Sequence, residues 1–185
     1  MPTLLHAACG PAMLKDIPVT NFKDWDEIRL DIDDRYDPNI VGDMRDITTW
    51  RFRDGSQWHD AVDAVYCSHA LEHLHLFDIP RALNAFWLSL KSKTGFACIF
   101  VPNFQAACRW IAEGKTERMY DAPCGPIFAH DVVFGHTGMT HGNPHMQHRS
   151  GLTPELLRGL LLGAGFIVTD VRVDDLNIFM AGQKL

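Results

Sequence analysis

"VDAVYCSHALEHLHLFDIPRALNAFWLSLKSKTGFACIFVP", residues 62–102, reads as a strand, a helix and a second strand. Its two ends, VDAVYCS (62–68) and GFACIFVP (95–102), are apolar on both parities, the pattern of strands covered on both faces. Between them Leu83, Phe86, Trp87 and Leu90 fall at i, i+3, i+4 and i+7, which is the stripe of a helix lying on a sheet. Asp78 is placed to cap that helix, Pro80 suits its first turn, and Gly95 follows its end. A unit of this kind builds a parallel sheet through a right-handed crossover.

The same reading extends outward in both directions. TLLHAA (3–8), EIRLDI (27–32) and PNIVGD (38–43) are three earlier strands. A second helix begins at Thr153-Pro154, runs through Leu156, Leu157, Leu160 and Leu161, and stops at Gly163 or Gly165. FIVTDVRV (166–173) and NIFMAGQK (177–184), joined by a short acidic turn, form a terminal hairpin. The expected fold class is α/β: a Rossmann-like, seven-stranded, mostly parallel sheet with a C-terminal antiparallel hairpin.

Composition narrows the function. A chain of 185 residues suits a single domain, 1–185, with a core that needs no staples. The net charge of −6 supplies no basic field for nucleic acid. No apolar run approaches the roughly 18 residues that span a bilayer. The N-terminus has no basic region and no cleavage-site pattern, so a cytoplasmic location is expected. Cys9, Cys67, Cys98, Cys108 and Cys124 are scattered and show no Cys-x-x-Cys spacing, which suits reduced thiols. A small-molecule partner is the default, with self-association left open.

In a parallel sheet the ligand lies beyond the carboxyl ends of the strands, at the switch point. There the first strand offers Ala7, Ala8, Cys9 and Gly10, and the second Asp31, Ile32, Asp33 and Asp34. The third offers Gly42, Asp43 and Met44, and the fourth Cys67, Ser68 and His69. Asp31 follows the first loop by about 20 residues, the separation of a ribose-binding acid. Any one acid after a strand is ordinarily a solvated turn. The ordered set is more specific.

With these residues in view, LLHAACGP, IRLDID, IVGDMRDI, DAVYCSHALEHL and FVPN resemble the successive motifs of class I S-adenosylmethionine-dependent methyltransferases. SHALEHL, APCGPIFAHDVVFGH, MQHRSGLT and LLGAGF are similar to a group of small bacterial methyltransferases of the type 11 kind. The resemblance implies S-adenosylmethionine as cofactor, with Ala7, Ala8, Cys9 and Gly10 facing its methionine part. It implies Asp31 on the ribose hydroxyls, Asp43 on the adenine amino group and Met44 against the ring. Ser68 and His69 would stand beside the sulfonium, and Ile32 and Cys67 complete the set.

The sequence also departs from that family. Ala8-Cys9-Gly10-Pro11 stands where Gly-x-Gly is usual, and the helices that precede the first strand in the family are absent, an N-terminal truncation relative to it. Pro11 and Pro18 leave little room for a helix between the first two strands. A ligand without phosphates does not require glycine for close pyrophosphate approach, so the altered loop remains compatible with this cofactor.

Residues 103–152 fit no sheet repeat and hold His130, His136, His141, His145, His148 and Arg149. A polar surface loop, a metal site and a substrate lid are the three readings. His141 and His145 would need one helix face, which Asn143-Pro144 breaks, and no Cys or Glu completes a ligand spacing. No metal is therefore expected, and a lid or substrate insertion after the fifth strand is preferred. His69 is the first candidate base and His136 the second, though each would serve equally well in a structural bond to a carbonyl. Glu72 and His73 read as the cap or filling of a short helix.

The resulting expectation is methyl transfer to a small-molecule or glycan-related acceptor. A non-catalytic cofactor-binding or interaction protein is the rival that the altered loop suggests. A nicotinamide-dependent oxidoreductase is allowed by the Asp31 spacing, but Gly-x-Gly-x-x-Gly is missing.

Overall fold

The apolar runs become the strands they predict. The computed structural model describes residues 1–16, 22, 24–50, 58–122 and 125–185. Strands β1 (Thr3–Ala7), β2 (Asp26–Asp31), β3 (Ile40–Val41), β4 (Ala64–Ser68) and β5 (Phe96–Pro102) are mutually parallel. Helix α1 (Ile79–Ser89) joins β4 to β5. After an insertion come α5 (Pro154–Gly163) and the antiparallel pair β8 (Ile167–Val173) and β9 (Asn177–Gln183). The sheet has seven strands in the order β3-β2-β1-β4-β5-β9-β8. The chain moves outward from β1 to β3, then returns to place β4 on the other side of β1, and this reversal opens the crevice where a ligand sits.

One face of the sheet carries the larger core. Leu5, Ala7, Leu30, Val65, Cys67, Ala97 and Ile99 pack there against Leu83 and Phe86 of α1 and Leu157 and Leu161 of α5. Thr153 caps α5 by accepting the Leu156 N–H at 3.2 Å. Asp78 occupies the cap position of α1, yet its side chain makes no capping bond; it turns to Arg45 and Arg81 instead. A carboxylate gains more from two guanidinium groups than from one amide.

The opposite parity faces a thinner layer. Leu4, Ala64, Tyr66 and Cys98 meet Leu14, Phe22, Trp25, Phe96, Phe100 and Phe179, a cluster that among the described residues includes none from an α-helix. After β1 the described chain makes a 3-10 turn at Leu14–Asp16 rather than a helix. His6 lies buried in this layer, its Nδ1 2.7 Å from Glu27 Oε1, and Glu27 Oε2 accepts the Leu14 N–H at 2.9 Å.

The insertion is more regular than the sequence suggests. Asn103 caps a helix α2 (Phe104–Ala112) by accepting the Ala106 N–H at 3.1 Å. A small hairpin of β6 (Tyr120–Ala122) and β7 (Gly125–Ile127) follows, then α3 (Ala129–Phe134) and α4 (Thr137–Thr140). Ala107, Ile127, Ala129 and Val132 give it a core of its own. No helix among the described residues is long and apolar enough to cross a membrane.

Candidate active site

A cavity of about 320 Å³ lies beyond the carboxyl ends of β1, β2, β3 and β4. Its volume falls at the lower end of small-molecule sites. Of the residues expected at the cofactor, Ala8, Gly10, Asp31, Ile32, Asp43, Met44 and His69 line it. Ala7 and Cys67 point into the core, fully buried. Cys9, buried with its thiol pushed up by burial to about 11, and Ser68 are also outside the lining. Ala7, Cys67 and Ser68 still belong to β1 and β4, whereas most of the lining comes from the loops beyond the strand ends.

The first loop turns at two left-handed positions, of which only the second is a glycine. Ala8 and Gly10 both take left-handed conformations, with φ of 51° and 52°. A Cβ on Gly10 would meet nothing within 4 Å, so conformation rather than crowding selects glycine there. At Ala8 the left-handed backbone costs about 1–2 kcal/mol. Ala8→Gly removes that cost but loses a methyl packed on the core and frees the unfolded chain, each worth about 0.5–1 kcal/mol. Its melting temperature is expected to stay within about 4 °C of wild type. Ala8→Val, β-branched at positive φ, should fall clearly below both. Equal melting temperatures for the valine and glycine variants would contradict the left-handed geometry.

Asp31 is 7% exposed and clasps two loops. Its Oδ2 accepts the Gly10 N–H at 2.8 Å and its Oδ1 the Asp33 N–H at 2.9 Å. Arg29, two residues earlier on the same parity, donates to the Gly10 carbonyl at 2.6 Å and the Tyr36 carbonyl at 2.9 Å. Each carboxylate oxygen of Asp31 keeps a second acceptor direction for a hydroxyl. Asp33 is committed elsewhere: Arg35 holds its carboxyl down to about 2.

Asp43 is more heavily engaged than the sequence implies. The Arg45 backbone N–H, Nε and Nη2 all donate to its carboxylate, at 2.9, 2.9 and 2.6 Å. Burial would raise this carboxyl, but Arg45 outweighs it and holds it below the ordinary range. Little acceptor capacity remains for a ligand amine. Arg45 Nη1 reaches Asp78 at 2.8 Å and so ties the loop to α1. Beneath it the fully buried Trp50 donates Nε1–H to the Asp43 carbonyl at 2.7 Å. A Cβ on Gly42 would stand 3.2 Å from that indole, so a glycine allows the loop to lie against it.

His69 follows β4 in a left-handed conformation, φ 50°, with its side chain 46% exposed on the cavity. Behind it Glu72 is enclosed, its Oε1 3.6 Å from His69 Nδ1, an ion-pair distance too long for a hydrogen bond. The insertion supplies the far wall through Met139, Asn143, His145, Met146 and Arg149. His136 is not in the lining; its Nδ1 is buried without a hydrogen-bond partner among the described residues.

No protein-family model and no curated protein matches the sequence. Solved structures do match it. A methyltransferase dependent on S-adenosylmethionine from Methanosarcina mazei superposes with a TM-score of 0.64 at 13% identity, over 99% of this chain and 92% of that one. Another from Archaeoglobus fulgidus gives 0.60 at 14%, over 99% and 86%. The 1,6-didemethyltoxoflavin-N1-methyltransferase of Burkholderia thailandensis, solved with bound 1,6-didemethyltoxoflavin and S-adenosylhomocysteine, gives 0.59 at 14%, over 99% and 71%. The fold is that of class I methyltransferases.

Within a methyltransferase fold, the cavity sits at the switch point that the strand order dictates. Arg29, Arg45 and Trp50, which the sequence left unassigned, are the buttresses of the loops around it. Only the parity that Arg29 shares with Asp31 hinted at any of them.

Proposed function

We propose that this protein transfers a methyl group from S-adenosylmethionine to a small-molecule or glycan-related acceptor. The observation that carries the reading is Asp31, buried at the end of β2, clasping the Gly10 amide on the rim of a cavity at the switch point. That cradle fits a nucleoside-bearing ligand: an anionic carboxylate for ribose hydroxyls, and the apolar Ile32 and Met44 for a flat ring. When bound, the cofactor supplies an electrophilic methyl group.

The chain's own residues then have separable tasks. Asp31 orients the ribose, and the Ala8–Gly10 turn approaches the methionine end. His69 faces the cavity with Glu72 behind it, and we assign to it contact with the acceptor and removal of its proton. His136, away from the lining, is given no such contact. Residues 139–149 act as the lid that excludes water and shapes the acceptor side.

Saturation of Asp43 by Arg45 favours one second reading, a protein that binds the cofactor weakly and does not turn it over. Turnover of a methyl acceptor separates these two readings, and thermal unfolding with ligand tests the cofactor binding that both require. S-Adenosylmethionine or S-adenosylhomocysteine at 100 times its dissociation constant adds about 2.7 kcal/mol, or about 5–11 °C for a chain of this size. A folded protein unmoved by millimolar concentrations of either compound would sink the methyltransferase reading. A larger shift with NAD would point to an oxidoreductase.

A further inference from the structure

Glu72 is 3% exposed, and among the described residues neither of its carboxylate oxygens accepts a hydrogen bond. A buried polar group in that state signals a water or an ion. Two imidazoles stand over it. One nitrogen each from His73 and His148 and one oxygen of Glu72 all lie within 4.8 Å of one another.

A backbone carbonyl holds each ring. His73 Nδ1 lies 3.2 Å from the Gln147 carbonyl and His148 Nδ1 2.7 Å from the Val132 carbonyl. A carbonyl only accepts, so Nδ1 carries the proton in both rings and Nε2 keeps the lone pair of the neutral form. Backbone carbonyls fix metal-binding histidines in this way. The rings meet edge-on, with centroids 4.9 Å apart. The main chain holds the two segments together, since Arg149 N–H and Ser150 N–H both donate to the Glu72 carbonyl, at 2.7 and 3.1 Å.

We propose that Glu72, His73 and His148 bind one divalent transition-metal ion of the zinc type. Two imidazoles and a carboxylate are a set that zinc accepts with its fourth position open. Magnesium and calcium prefer oxygen alone. Bonds of about 2.1 Å put ligand atoms about 3–3.4 Å apart, so the side chains must close by up to about 1.5 Å, within the reach of small χ adjustments. Of the three, His73 lines the cavity and Glu72 is enclosed behind it, so the site adjoins the cavity. On the methyl-transfer reading the ion's open fourth position would take an acceptor oxygen; the metal site itself does not depend on that reading. The surface pair His141 and His145 has no part in it.

The full-length protein, stripped with a chelator and dialysed against zinc chloride, should retain one equivalent by elemental analysis, and none of magnesium under the same treatment. His73→Ala and His148→Ala should each weaken zinc binding by about 100-fold or more, and a His141→Ala/His145→Ala double variant should bind as wild type. Cobalt loaded in place of zinc should give visible absorption that Glu72→Gln alters. If a ligand variant fails to fold, X-ray absorption of the wild-type zinc protein still reads two imidazoles per metal. No retained zinc would overturn the proposal. So would zinc that survives the His73 and His148 changes, or that is lost with His141, His145 or the exposed Cys108. Metal retention is read without cofactor, so its failure and a failure of the methyltransferase reading are separate results.

Discussion

Asp31→Ala should lower both stability and cofactor affinity. The carboxylate accepts the Gly10 and Asp33 amides at 2.8 and 2.9 Å, and it is 7% exposed. A hydrogen bond to a charged group contributes about 1.5–3 kcal/mol. Both amides lie at the rim of an open cavity, where water replaces part of that loss, so the net cost should be about 2–4 kcal/mol. For a chain of this length that is about 4–16 °C in melting temperature. Removing the ribose partner should cost a further tenfold to 150-fold in cofactor affinity by calorimetry. Asp31→Asn keeps one acceptor oxygen and should fall between. A wild-type melting temperature for the alanine variant would mean the loops stand without the carboxylate. A lowered melting temperature with an unchanged dissociation constant would move the ribose to Asp33 or the site elsewhere.

The double role of Asp31 shows what the sequence discloses and what it conceals. Strands with apolar residues on both parities, a leucine stripe at helical spacing and acids at strand ends are local patterns, and each was legible. Helix α2 was not, because its buried face is Ala106 and Ala107, too small to register as an apolar stripe. The left-handed backbone at Ala8 was hidden for a similar reason: alanine rarely adopts it, so the residue name argues against the geometry. Arg29 and Arg45 act across tertiary distance, on carbonyls and carboxylates whose proximity only the folded sheet creates. The grouping of Glu72 and His73 with His148 is of that kind too, since the insertion must fold back before the rings meet.

Trp50 gives that argument its second large effect. It is fully buried in the main core, and its Nε1–H reaches the Asp43 carbonyl at 2.7 Å. The indole therefore supports the loop that carries Asp43, Met44 and Arg45 to the cavity. Trp50→Ala removes a large buried side chain and should cost about 3–5 kcal/mol, or about 6–20 °C in melting temperature. Trp50→Phe keeps most of the packing and removes one of two donors to the Asp43 carbonyl, which still accepts the Asp46 N–H at 3.1 Å, a cost of about 0.5–1.5 kcal/mol. The comparison separates packing from positioning. If the indole N–H sets the loop, the phenylalanine variant should lose cofactor affinity by a larger factor than its small change in melting temperature would suggest. If the indole only fills space, Trp50→Phe should bind cofactor as wild type does, and calorimetry on that one variant decides between the two. The first outcome is the expected one: the 2.7 Å bond from Nε1–H to the Asp43 carbonyl fixes the backbone of the residue that leads Met44 and Arg45 to the cavity, and Gly42 lets that backbone lie close against the ring.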